Sequence, residues 1–223
     1  MKTFQYILLL LIILPLIESQ AQERKYSTYY YQKASLFEKL PVDDNDIIFL
    51  GNSITDGAEW AELFNNPNVK NRGISGDITM GVYDRLDAIL KGQPAKIFLL
   101  IGINDVARGT SADSIVQNIR LITETIMTKS PDTHLFLQSV LPVNDSFDKF
   151  HGHTSRYKMV PEINDQLKKL AKGKNVTYID LFSHFVNESG IKMDAKYTND
   201  GLHLTGEGYL LWRKIVEPWI SNQ

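Results

Sequence analysis

Ser53 lies in the run Gly51-Asn52-Ser53-Ile54-Thr55-Asp56-Gly57, directly behind the apolar stretch Ile47-Ile48-Phe49-Leu50. Asn104 lies in Gly102-Ile103-Asn104-Asp105, directly behind Ile97-Phe98-Leu99-Leu100-Ile101. Asp200 and His203 stand three residues apart near the carboxyl end, in Asp200-Gly201-Leu202-His203. A serine hydroxyl is a weak nucleophile until a base stands within hydrogen-bond reach. An imidazole whose tautomer is fixed by a carboxylate is such a base, and a side-chain amide can donate to an oxyanion. These residue types together make the inventory of acyl transfer: Ser53 to attack, His203 to take the proton, Asp200 to orient the imidazole.

Each block has a plain structural reading when taken singly: a turn serine, a solvated Asp and His, a turn-forming glycine. Their joint placement at strand ends favours chemistry, because residues just past the carboxyl end of a buried strand line the crevice of an α/β protein. Gly51 permits a tight turn out of the strand, and a helix starting soon after would aim the Ser53 N–H at a developing oxyanion. The Asn104 amide is a second candidate donor. The N–H of Gly76, in Gly73-Ile74-Ser75-Gly76-Asp77, is a third, with glycine allowing close approach.

The elements that must position these groups alternate. Strands are expected at Ile47–Leu50, Val69–Asn71, Ile97–Ile101, His134–Leu141 and Val176–Ile179, bounded by glycine, proline and polar clusters. Between them, Val82, Leu86, Ile89 and Leu90 share one helical face, and Ile115, Ile119, Ile122 and Ile126 another, capped by Ser111 or Asp113. A short helix around Trp60–Phe64, one from about Ser155 to Lys172, and a last one behind Thr205 and Glu207 complete the pattern. Alternating strands and helices argue for an α/β domain with a parallel sheet between helical layers. Ahead of it, Tyr26 to Leu40 is tyrosine-rich and turns helical from Ala34, with Pro41 as its stop. Residues 22–41 read as a segment wrapped on the domain, rather than a stacking face for sugars.

The 223 residues are enough for one core, and we find no repeat or long linker, so residues 22–223 form a single domain in this reading. Net charge is −2 with basic residues scattered, which gives no nucleic-acid footprint. Lys2, the apolar run Tyr6–Ile17 and the small residues Ser19 and Ala21 read as a secretory signal at residues 1–21. The apolar run falls short of the ~20 residues that span a bilayer, so no stable membrane insertion is expected after cleavage. The chain is therefore expected in the periplasm or outside the cell. There is no cysteine, which excludes thiolate nucleophiles, thiolate metal sites and disulfides.

His151 and His153, in a polar loop with Asp145 and Asp148, are candidate substrate contacts. Their spacing lacks the helical i, i+4 pattern of a zinc site, and no metal or other cofactor is expected. Asp56 and Asp105 read as supports for loop backbone, and Arg72 and Arg108 as surface arginines.

In this order at strand ends, the blocks resemble those of the GDSL, or SGNH, hydrolase family, named for a Ser, a Gly, an Asn and a His. The resemblance runs from Ile47 to the carboxyl end. It implies a flavodoxin-like three-layer α/β/α sandwich with five parallel strands. It also implies Ser53, Asp200 and His203 as the triad, and Ser53 N–H, Gly76 N–H and the Asn104 amide as oxyanion donors. Asn52 stands where the family name has Asp, a position with no triad role. The compact exported chain resembles members that deacetylate carbohydrates, and also platelet-activating-factor acetylhydrolase. A secreted serine esterase for short acyl groups on an O-acetylated carbohydrate is the favoured expectation, its partner a small-molecule or glycan ester. A lysophospholipase or acyl thioesterase, or a non-catalytic glycan- or flavin-binding module, are the rivals.

Overall fold

The apolar runs become five parallel strands in the computed structural model, which describes residues 25–221. The expected signal segment, residues 1–21, lies outside the described residues. β1 (Ile47–Gly51), β2 (Val69–Gly73), β3 (Lys96–Leu100), β4 (His134–Gln138) and β5 (Val176–Ile179) form one sheet in the order β2-β1-β3-β4-β5. All pairs are parallel, so helical crossovers must cover both faces. The strand order 2-1-3-4-5 is flavodoxin-like. β1 is buried along its whole length, as its unbroken apolar sequence requires.

Register puts Phe49, Phe98 and Phe136 side by side on β1, β3 and β4. Their rings stack at 4.9 and 4.4 Å, and Trp60 lies over Phe49 at 3.8 Å. This aromatic face is covered by α3 (Trp60–Leu63) and α11 (Gly206–Ser221), whose Trp60 and Trp212 meet edge to face at 4.8 Å. The opposite layer holds α4 (Thr79–Asp84), α5 (Leu86–Leu90), α7 (Ala112–Lys129) and α9 (Met159–Leu170), packed on one another. α7 starts at Ser111, whose Oγ accepts from Ser114 N–H at 3.2 Å, and buries Ile115, Ile119, Ile122 and Ile126 at helical spacing. The short helices α2 (Ser53–Asp56), α6 (Ile103–Ala107), α8 (His151–Thr154) and α10 (Phe182–Phe185) begin just beyond strands or inside the longer loops. Among the described residues, no helix is long and apolar enough to cross a membrane.

Four elements differ from expectation. The helix read from Ala34 begins earlier, as α1 (Thr28–Lys39), because Ser27 caps it by accepting from Tyr30 N–H at 3.1 Å. The single helix read through Val82 to Leu90 is two, broken at Arg85, whose guanidinium turns under the sheet edge. β4 ends at Gln138 instead of Leu141. Ser139 N–H still reaches Ile179 O at 2.9 Å, but Asn144 N–H bonds Gly201 O at 2.8 Å, so the chain leaves the sheet toward the His203 turn. α9 starts at Met159 rather than Ser155, because residues 155–158 form the turn that joins it to α8.

Candidate active site

β1 delivers Ser53 to the carboxyl edge of the sheet. Gly51 is required there, because a Cβ would collide with Leu100 O and the Thr55 hydroxyl. Asn52 caps α2: its Oδ1 accepts from Ile54 N–H at 3.0 Å. The side chain is fully buried, and an amide meets that need without burying a charge. Ser53, first residue of α2, therefore has a backbone N–H with no intrahelical acceptor.

Asp200 and His203 reach this serine from the turn ahead of α11. Thr198 Oγ1 accepts from Gly201 N–H at 2.9 Å, and Gly201 O is held by Asn144 N–H, so the turn is fixed on two sides. His203 Nε2 lies 3.1 Å from Ser53 Oγ, and His203 Nδ1 lies 2.8 Å from Asp200 Oδ2. Because a carboxylate only accepts, the Nδ1 proton faces Asp200 and Nε2 is free to accept from the serine hydroxyl. Burial pushes the Asp200 carboxyl up. The His203 ring and the N–H groups of His203 and Leu202 pull it down more strongly, and the net position is below the usual carboxylate range.

The expected oxyanion donors follow the carboxyl ends of β1, β2 and β3. Gly76 follows β2 with φ +80°, a left-handed conformation that disfavours any side chain, and no backbone acceptor takes its N–H among the described residues. Asn104, on α6 behind β3, is buried at 8 % exposure. Its Nδ2 donates to Asp77 O at 2.8 Å, which leaves one N–H for a ligand. Asp105 beside it accepts from Thr79 N–H and Oγ1, at 3.0 and 2.6 Å, anchoring the start of α4. Burial raises its pKa.

His153 and His151 part company. His153 Nε2 sits 2.8 Å from Asn104 Oδ1, whereas the His151 ring is exposed beside Asp148 at 3.5 Å. Burial, then the neighbouring His203, lowers the His153 pKa, so its ring is neutral at neutral pH. Phe150, left-handed at φ +50° and 43 % exposed, sets its ring edge to face with His203 at 5.1 Å. Among the described residues no group of three or more His, Asp or Glu is placed to hold a metal ion.

Several supports join residues far apart in sequence, among them Asp56, already expected to hold loop backbone. Arg85 donates to Gly51 O and Arg72 O at 3.0 and 2.9 Å, and pairs with Asp77 at 2.9 Å, tying the serine and Gly76 loops together from beneath. Asn71 Nδ2 bridges Asp56 O and Ala58 O. The Asp56 carboxylate gathers Ser75 Oγ, Tyr29 OH and Lys33 Nζ at 3.0, 2.8 and 3.0 Å, so α1 braces the wall beside Ser53. Arg72, read as a surface arginine, is instead buried with its guanidinium over the Phe37 ring at 5.1 Å, because α1 covers it. Arg108 is exposed and reaches Gly76 O at 3.3 Å.

Comparison with known proteins bears on the family and the fold. The rat platelet-activating factor acetylhydrolase IB subunit alpha2 is 28% identical over 179 residues, covering 78% of this chain and 73% of its own. A solved structure from Streptococcus pneumonia, described as a platelet activating factor, superposes with TM-score 0.79 at 28% identity, covering 86% of this chain and 92% of that one. A GDSL-like lipase from Bacteroides thetaiotaomicron gives TM-score 0.70 at 25% identity, covering 86% and 96%. The sequence pattern of the GDSL-like lipase/acylhydrolase family matches residues 49–211, from the middle of β1 into α11. With that match spanning most of its length, the chain belongs to the GDSL-like lipase/acylhydrolase family.

Proposed function

We propose that this ester hydrolase is a serine esterase that removes short acyl groups, acetyl foremost, from a hydroxyl-rich alcohol such as a carbohydrate. The observation that carries the reading is the relay from Ser53 Oγ to His203 Nε2 at 3.1 Å and from His203 Nδ1 to Asp200 Oδ2 at 2.8 Å. Ser53 attacks the ester carbonyl as His203 takes its proton, and Asp200 steadies the imidazolium. The oxyanion is met by the Ser53 N–H, the Gly76 N–H and the free N–H of Asn104. His203 then protonates the departing alcohol, and water repeats the sequence on the acyl-enzyme. No step calls for a cofactor.

Support for an acetyl group comes from the relatives named as acetylhydrolases. Support for a polar alcohol comes from the loop over His203, where Asp145, Asp148, Lys149 and His151 surround the single exposed ring of Phe150. An aromatic face among hydroxyl-binding side chains suits a sugar ring better than an acyl tail. The amino-terminal segment, read as an export signal, supports an activity outside the cytoplasm.

The test compares p-nitrophenyl acetate with the octanoate, then acetylated sugars with lysophosphatidylcholine and an acyl thioester. Acetate and acetylated sugars are expected to dominate in kcat/KM. Octanoate preferred tenfold, with lysolipid cleaved and acetylated sugars ignored, would hand the site to a lysophospholipase reading.

A further inference from the structure

We propose that His153 is a positioning residue for the oxyanion site: its Nε2–H, donated to Asn104 Oδ1, holds the amide with one N–H tied down and the other aimed at the substrate. The inference rests on the esterase reading above and deepens it by adding a second histidine with a different task from the first.

Two fixed partners settle the hydrogen-bond pattern. The Asp77 carbonyl can only accept, so the atom of Asn104 that faces it at 2.8 Å is the amide nitrogen. The opposite atom, facing His153 at 2.8 Å, is then the amide oxygen, which can only accept. His153 Nε2 must therefore carry a proton, and its neutral ring is the Nε2–H tautomer. His203 is held in the reverse state, with its Nδ1 proton facing Asp200. One imidazole of the site is thus built to accept a proton and the other to donate a hydrogen bond.

The backbone around His153 serves that placement. α8 packs against α6, the helix that carries Asn104. His153 N–H and Thr154 N–H both bond Phe150 O, at 2.8 and 3.0 Å, which fixes the first turn of α8. An amide flip would put two carbonyl oxygens together and two N–H groups together, so the His153 donor and the Asp77 acceptor reinforce one orientation. Donation into Oδ1 also polarises the amide and strengthens the remaining N–H, which is most useful once negative charge develops.

The experiment uses full-length protein and p-nitrophenyl acetate, with His153→Phe, His153→Gln and Asn104→Ala alone and in combination. His153→Phe keeps an aromatic ring but no donor, and is expected to lower kcat by about 10-fold to 100-fold with KM little changed. His153→Gln, whose amide can still donate, recovers most of that loss. In the Asn104→Ala background, His153→Phe costs nothing further, because its target is gone. Undiminished kcat in His153→Phe, a loss carried by KM alone, or equal losses in both backgrounds overturns the proposal. Nitrogen-15 NMR of the His153 ring reads the tautomer without turnover: Nε2–H is expected, with its resonance shifting in Asn104→Ala, and an Nδ1–H ring overturns the assignment. If Ser53→Ala keeps its activity, the esterase reading fails instead, and the tautomer measurement still decides the role of His153.

Discussion

The two carboxylate oxygens of Asp200 grip His203 at the same distance, 2.8 Å, through different atoms. Oδ2 meets the ring at Nδ1, and Oδ1 meets the backbone N–H of the same residue while also accepting from Leu202 N–H at 2.9 Å. One oxygen holds the turn and the other sets the tautomer, so one substitution can separate the two tasks.

Asp200→Asn keeps an oxygen for the backbone donors and presents an amide N–H to Nδ1. The imidazole must then accept at Nδ1 and carry its proton on Nε2, where it can no longer take one from Ser53. We expect a folded protein with kcat reduced by about 10⁴. Circular dichroism and kinetics on the same sample check this; an unfolded variant would show that Asp200 serves the turn more than the ring.

Acidification should spare the turn. Unfolded aspartate titrates at about 3.9, and the folded carboxyl of Asp200 lies lower, so its stabilising contribution is complete above that value and is lost only as pH falls through the folded one. Between about pH 7 and pH 5 no fall in Tm from this residue is therefore expected, whatever happens to activity. A Tm that drops in step with activity over that interval contradicts the assignment.

Ser53→Ala and His203→Ala should each reduce ester hydrolysis by about 10³-fold to 10⁶-fold, and the double variant should be scarcely worse, since the two act as one unit. Losses that multiply in the double variant would mean the two residues act independently. Ser53→Ala retaining a tenth of the activity would remove the serine from the mechanism.

Arg85→Met leaves Asp77 a buried carboxylate without its cation, and takes one donor each from Gly51 O and Arg72 O. The expected loss is about 3–5 kcal/mol of stability. Denaturant unfolding measures it directly. A loss below about 1 kcal/mol would place Arg85 among weak, solvent-screened pairs.

The meeting of Ser53, His203 and Asp200 was legible because these residues sit beside loud signals. Ser53 and Asn104 follow apolar runs that become β1 and β3, and Asp200 and His203 share one short turn. The braces were not legible, because they join residues far apart in sequence. Asp56 to Tyr29 spans 27 positions and His153 to Asn104 spans 49. Nothing local marks Arg85 as buried, since its helix break answers acceptors on β1 and β2. The helix was read only from Ala34, whereas the Ser27 cap starts α1 at Thr28, ahead of most of the tyrosine run.

The sheet order has a consequence for how this site can vary. β1 runs between β2 and β3, so the serine stands between the loop that carries Gly76 and the loop that carries Asn104. The separation of those flanking donors is set by main-chain ladders, with neighbouring strands about 4.8 Å apart. The spacing of the loops that carry Gly76 and Asn104 is thus gauged by backbone, with the Asn104 amide held within it by Asp77 O and His153. Exposed rim positions such as Asp148, Lys149 and His151 can change character without moving that gauge. The rim is free to drift while the spacing of the loops on either side of Ser53 stays the same.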